Sequence, residues 1–376
     1  MVALTLFVVF TGAVFYVYVG YPLLLALFSR GKKPQALAPD LPDEELPTAT
    51  ILIAAHNEEA SIAEKIENSL SIDYPPAKLR IVIVSDGSTD RTDEIVRRYE
   101  PRGIGLVRID PRQGKSLARN RAVDATTGDI LVMSDANAMY APDALRKLLR
   151  HFADDSVGVV CGELRLVRER GGENLYWRYE KMIKRLENRF RSIIGANGSI
   201  YAIRRSRYVP LPAEADDDFL EPLCAYLDGY RVRYEQEALS YEKDIKAKNV
   251  RREFAAKSRT VLRGIQSLHH LSKIAAPFRD PSLAFCLISH KMLKWLAPFF
   301  LIGILVTSAL LASKPIFLIV LAIQIFLYGC AIAGITTGRA AFHVPAFFVL
   351  TNAAAFTAVI TFLAGNRSRV WEKKRS

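Results

Sequence analysis

Four stretches of this chain contain no Asp, Glu, Lys or Arg: Met1 to Ser29, Trp295 to Ser313, Pro315 to Gly338 and Ala340 to Asn366. A helix of roughly 20 apolar residues crosses a bilayer core, so each run has the length and composition of a membrane span. This segregation excludes an ordinary soluble chain, although the average composition of 50% hydrophobic and 24% charged residues would pass for one. Against 39 Asp and Glu stand 51 Lys and Arg, a net charge of +12. Basic residues that flank apolar runs are explained first by membrane lipids, and no nucleic-acid partner is expected.

No Lys or Arg precedes the first run and no small-residue cleavage site ends it, so it reads as a retained anchor rather than a signal peptide. Arg30, Lys32 and Lys33 follow it, which by the positive-inside rule puts the polar middle of the chain in the cytoplasm. The expectation is an integral membrane protein of the bacterial inner-membrane type. Its segments are a transmembrane helix at 1–29, a Pro-rich acidic linker at 30–47 and a cytoplasmic domain at 48–250. Amphipathic interface helices follow at 251–294, then about three transmembrane helices at 295–366 and a basic tail at 367–376. Within the interface segment, Phe254, Val261, Leu262, Ile265 and Leu268 share one helical face, while Arg252, Arg259, Arg263 and His270 fall on the other. Three complete spans after a cytoplasmic domain would export the basic tail, against the charge rule. Ala340 to Asn366, interrupted by Pro345 and Asn352, is the run that could stop short of crossing; three full spans is the simpler reading. The cysteines at 161, 224, 286 and 330 lie far apart and imply neither disulfides nor a zinc site.

Between residues 48 and 134 the pattern alternates. Strand-like runs at Thr48–Ala55, Leu79–Ser85, Gly105–Ile109 and Asp129–Ser134 are separated by helical spacing at Glu59–Leu70, Asp90–Tyr99 and Lys115–Thr126. Such alternation predicts an α/β domain with a parallel sheet covered by helices on both faces. Ligands of these sheets sit at the carboxyl ends of the strands. There the chain has Ala55-His56-Asn57-Glu58-Glu59, Ser85-Asp86-Gly87-Ser88-Thr89-Asp90 and Ser134-Asp135-Ala136-Asn137. Three clusters of carboxylates and amides on one edge are costly unless a cation or a hydrogen-bonding ligand uses them, and a nucleotide with a divalent metal fits.

These clusters, in order, resemble the successive motifs of the family 2 inverting glycosyltransferases with the GT-A fold. The resemblance continues through Gly114-Lys115, Gly195-Ala-Asn-Gly-Ser199, Asp217-Asp218-Phe219 and Gly229-Tyr-Arg-Val-Arg-Tyr-Glu235, and covers roughly residues 48 to 265. The membrane-embedded, cellulose-synthase-like branch is the nearest in layout. The resemblance implies a Rossmann-like GT-A domain plus transmembrane α-helices, and a role for each matched residue. Asp86 would hold the nucleoside of the donor, foremost a UDP-sugar, with His56, Asn57, Glu58, Lys115 and Asp135 around the same nucleotide. Asp135 and Asn137 stand where the family's Asp-x-Asp motif binds Mg²⁺ or Mn²⁺. Asn197, Gly198 and Asp217 would meet the acceptor, and Asp218 would be the catalytic base, with Asp216 and Asp217 as neighbours one or two residues away.

Processive members carry Gln-x-x-Arg-Trp at the membrane interface. Here Arg259-Thr-Val-Leu-Arg263 occupies that place without a Trp, so Arg259 is a candidate for the donor diphosphate, while Arg263 could equally face anionic lipid heads. Transfer of one or a few sugars to a glycan or lipid-linked acceptor is expected, in exopolysaccharide or cell-envelope glycan synthesis, with polysaccharide-export proteins as partners. The alternatives are a polyprenyl-phosphate sugar synthase and a non-catalytic transport or scaffolding subunit. Gln113-Gly114-Lys115-Ser116 is not a P-loop, because Ile109 stands where that motif needs Gly. His269, His270 and His290 read as packing rather than metal ligands, with no carboxylate accompanying them, and Trp177 and Tyr179 as helix core.

Overall fold

A computed structural model describes residues 1–32, 38–167, 171–242 and 250–365. The basic tail and residues 33–37 of the linker lie outside it. In chain order the helices are α1 (Val2–Phe28), α2 (Ile62–Leu70), α3 (Thr92–Arg97), α4 (Lys115–Asp124), α5 (Ala144–Leu149), α6 (Gly171–Phe190) and α7 (Asp217–Leu227). Then come α8 (Val250–Ile274), α9 (Pro281–Leu310), α10 (Pro315–Thr337) and α11 (His343–Leu363). The strands are β1 (Ala49–Ala55), β2 (Leu79–Asp86), β3 (Ile104–Ile109), β4 (Ile130–Asp135), β5 (Ala138–Tyr140), β6 (Val157–Leu166), β7 (Tyr201–Arg204) and β8 (Arg231–Glu242).

One eight-stranded sheet has the order β3-β2-β1-β4-β7-β6-β8-β5. The four strands read from sequence are parallel and central strands such as β1 are almost wholly buried, which is why they are unbroken apolar runs. Their register is flush: Ala55 pairs with Ser85 and Ala54 with Asp135, so all three polar clusters emerge at one edge. The expectation of a parallel sheet is corrected beyond that point. β7 runs antiparallel to β4 and β6 to β7, and β5 pairs antiparallel with β8, giving a mixed sheet. Here α6 and a long loop lie between β6 and β7, so the βα alternation that signals parallel strands has stopped.

A core built from Tyr21 and Leu25 of α1, Ile183 of α6, Leu220 and Leu223 of α7, Leu268 and Leu271 of α8, and Leu283 and Leu287 of α9 joins the sheet domain to the apolar helices. Beside it His290 corrects the sequence reading, because two carboxylates do accompany it. Its Nδ1 is 2.7 Å from Glu187 Oε1 and its Nε2 is 3.2 Å from Glu180 Oε2. Tyr21 donates to Glu187 at 2.7 Å, and Lys294 pairs with Glu180. Both glutamates come from α6, far away in sequence, so spacing could not announce them. Tyr179 donates to the α1 carbonyls of Val17 and Tyr18 at 3.3 and 3.2 Å, a packing role as expected. All four cysteines are free.

Among the described residues, four helices are long and apolar enough to cross a membrane. α1 and α9 run side by side in opposite directions: Phe10 stacks near Phe300 and the Tyr16 hydroxyl is 2.7 Å from Ser289 Oγ. α10 meets α1 near its start, at Phe7 and Phe317. α11 packs on α1 at Tyr18 and Phe348 and on α9 at Phe299 and Phe356, and it also lies along α8. Phe347 near its start sits under Lys257 Nζ at 4.1 Å, and Phe362 near its end meets the His269 ring at 5.6 Å. α8 in turn is fastened to the sheet domain. Arg263 donates to Ser116 Oγ at 3.2 Å and to the Ala215 carbonyl, and the Asp216 N–H donates to Ser267 Oγ at 2.8 Å. Arg263 is therefore buried in protein and does not face lipid heads.

Candidate active site

The nucleotide side of the edge is made of loops that hold one another. Asn57 takes the left-handed conformation with φ 57°, which Asn tolerates better than most residues. Its Oδ1 accepts the N–H groups of Thr89 and Asp90 at 2.7 and 3.3 Å, tying the loop after β1 to the loop after β2. His56 Nδ1 lies 2.7 Å from the Asp86 carbonyl, and the Ser61 hydroxyl donates to Glu58 at 2.8 Å. The Asp86 carboxylate accepts the N–H groups of Gln113 and Gly114 at 2.7 and 2.8 Å, with Arg112 Nε 3.8 Å away. Gly87, at φ 61°, lets these loops close, because a Cβ there would lie 2.8 Å from that of Arg112.

The second half of the edge converges on Gly198. A Cβ at this glycine would lie 3.1 Å from Asp218 Oδ2, 3.5 Å from Lys115 Nζ and 3.6 Å from Asp135 Oδ2. Asp218, Lys115 and Asp135 thus surround one point. Lys115 opens α4 and pairs with Asp135 Oδ1 at 2.8 Å and with Asp217 Oδ2 at 3.5 Å. Asp135 ends β4 with its side chain one-third exposed, and Asn137 is half-buried in the turn that follows. Asp216, Asp217 and Asp218 begin α7, where the helix N-terminus favours acids, and their carboxylate oxygens lie within 4.8 Å of one another.

These three acids differ in surroundings. Asp217 is buried in an ion pair with Arg119 of α4, facing the interior. Asp218 is half-buried, and burial with the neighbouring Asp216 charge pushes its carboxyl up to about 6, while Lys115 and Lys184 pull it down. Burial likewise raises Asp216, against the pull of Arg263. Asn197 is occupied: its Oδ1 accepts from Lys184 at 2.5 Å and its Nδ2 donates to the Gly162 carbonyl at 2.7 Å. Arg259 sits half-buried one turn before Arg263.

Sequence reasoning missed several residues that shape this site. Arg119 follows Lys115 by one helical turn, a spacing that could have revealed it. Glu221, one turn after Asp217, is pushed up to about 7 by burial, with Arg119 opposing, and receives the Tyr201 hydroxyl at 3.0 Å. Lys65 lies fully buried under the turn after β4, donating to the Ala138 carbonyl at 2.5 Å, and burial lowers it to about 7. A lone Lys on an amphipathic helix gives no such signal.

Residues 50–208 match the family model described as Glycosyl transferase family 2. A probable glycosyltransferase, YdaM, from Bacillus subtilis (strain 168) is 28% identical over 219 residues, covering 54% of this chain and 52% of the relative. The poly-beta-1,6-N-acetyl-D-glucosamine synthase of Staphylococcus aureus (strain COL) is 26% identical over 226 residues, or 57% of this chain and 53% of that one. The chain thus spans about half the length of these curated relatives. The mannosyltransferase PcManGT from Pyrobaculum calidifontis, solved with GDP-Man and Mn²⁺, shares the fold with a TM-score of 0.76 and 24% identity, over 98% of this chain and 99% of that one. Matching motifs, fold and family model agree that residues 50–208 form a domain of the Glycosyl transferase family 2 type on the GT-A fold.

Proposed function

We propose that this protein is a membrane-bound inverting glycosyltransferase that moves a sugar from a nucleoside diphosphate sugar to a glycan or lipid-linked acceptor, with Asp218 as the base. The observation that carries this reading is the convergence of Asp218, Lys115 and Asp135 on Gly198. Asp218 takes the proton of the acceptor hydroxyl as its oxygen bonds to the anomeric carbon. The bond from that carbon to the diphosphate breaks, and its electron pair leaves on the nucleoside diphosphate. Attack opposite the leaving group inverts the configuration. A carboxyl near pH 6 is ionised at neutral pH yet basic enough to accept a proton in the transition state.

On the donor side, Asp86 and its loop receive the nucleoside, with His56, Asn57 and Glu58 fixing the pocket wall, while Lys115 and Arg259 offer cations to the diphosphate. The GDP-Man and Mn²⁺ of the Pyrobaculum protein support a nucleotide sugar and a divalent ion in a fold of this kind. Asp135 and Asn137 would hold Mg²⁺ or Mn²⁺, since an oxygen-only ligand set suits a hard cation, and the ion would stabilise charge on the departing diphosphate. For the acceptor, the Gly198 backbone is the favoured contact. Asn197 acts behind it through Lys184 and Gly162, and Asp217 holds Lys115 and Arg119. In this reading α1, α9 and α10 cross the bilayer. α11 lies with α8 at the membrane surface on the same side as the catalytic domain, because both its ends pack on that helix.

Full-length protein in lipid nanodiscs, given a panel of nucleotide sugars with Mn²⁺, should release nucleoside diphosphate from one donor. Proton NMR of the glycoside should show the anomeric configuration inverted. A retained configuration would overturn the proposal.

A further inference from the structure

A small, partly open cleft lies between the loop before α7, the C-terminal half of α8 and the end of α11. Glu214 and Ala215 line it from the loop, Gln266, His270 and Lys273 from α8, and Phe362 from α11. Gln266 is only 6% exposed, and among the described residues neither its amide nitrogen nor its amide oxygen has a hydrogen-bond partner. Buried amides are normally satisfied, so an unpaired one beside a cleft calls for a ligand that can both donate and accept. Lys273 and His270 offer positive or donor groups, Glu214 offers a carboxylate, and Phe362 gives an apolar wall.

We propose that this cleft binds a membrane lipid whose headgroup combines a phosphate with an N–H or O–H donor. The phosphate faces Lys273 and His270, the donor faces Glu214, and the Gln266 amide turns to complete the contacts. This rests on the reading of α8 and α11 as a surface layer, which sets the cleft at headgroup depth. Its occupant braces Ala215 from one side. On the other, Arg263 and Ser116 already hold the Ala215 carbonyl and Ser267 holds the Asp216 N–H, one step before the acidic cluster. The lipid thus acts on the loop that leads into the helix start carrying Asp218.

Nanodiscs of phosphatidylcholine alone and of phosphatidylcholine with phosphatidylethanolamine differ in headgroup donors but not in net charge. The melting temperature of the full-length protein should rise by several degrees with phosphatidylethanolamine, and native mass spectrometry should find one such lipid retained. Gln266→Leu, which keeps the side-chain volume, and Glu214→Gln should each abolish the shift and the retention. Equal melting in both lipids, or a shift that survives both substitutions, would overturn the proposal. So would free phosphoethanolamine reproducing the shift in phosphatidylcholine discs, since the source would then be soluble. No sugar is present in these measurements, so their failure is distinct from failure of the transferase reading.

Discussion

The two halves of the active-site edge treat their carboxylates in opposite ways. On the nucleotide half, Asp86 is met by two backbone N–H groups. On the other half three acids crowd one helix start; Asp217 has Arg119 in contact, and Asp218 is left with its carboxyl pushed up to about 6. A binding surface is made rigid by satisfying its polar groups, whereas a base is made by leaving one carboxylate crowded and under-compensated.

The largest effect should come from breaking the satisfied half. Asp86→Ala leaves two loop N–H groups without an acceptor, which should cost about 2–4 kcal/mol of stability and abolish nucleotide binding. Urea unfolding and calorimetry with nucleoside diphosphate measure both; wild-type values would mean that Asp86 does not organise this half. Next is pH dependence. Below about pH 6 Asp218 binds its proton and can no longer accept one, so kcat/KM should fall about tenfold per pH unit on the acid side. A profile flat down to pH 5 would contradict the crowding argument. Smaller again is Gly198→Ala. Its methyl would press on Asp218 Oδ2 from 3.1 Å, so turnover should drop about tenfold, by misplacing the base. Stability should change by less than about 1 kcal/mol. The least perturbing test is Ala364→Cys in a background lacking the four native cysteines. A membrane-impermeant label should reach it only after permeabilisation; labelling in intact cells would make α11 a true span.

What could be read from the sequence follows the same divide. β1 to β4 are continuous apolar runs with chemistry immediately after each, and their flush register carries His56, Asp86 and Asp135 to one edge without further information. The other half depends on pairings across long separations. Asp217 and Asp218 are adjacent in sequence yet point about 100° apart on a helix, and only the position of Arg119 decides which is neutralised. Asn197 matches a motif, but its amide is engaged by Lys184 of α6. Arg263 lies on the charged face of an amphipathic helix, and tertiary packing turns that face onto Ala215 instead of lipid. α11 has the hydropathy of a span, and its alignment with α8 is visible only from Phe347 and Phe362.

Asp218→Asn keeps the size of the side chain and one acceptor oxygen while removing its ability to take a proton. The direct test of the account is to measure sugar transfer and donor affinity in this one variant, in nanodiscs at pH 7.5 with Mn²⁺. The account predicts transfer lowered by about a thousandfold, within the range of general-base catalysis, with donor affinity within about threefold of wild type. Turnover near the wild-type rate with the donor still bound would contradict it, and would move the proton to another carboxylate of the cluster.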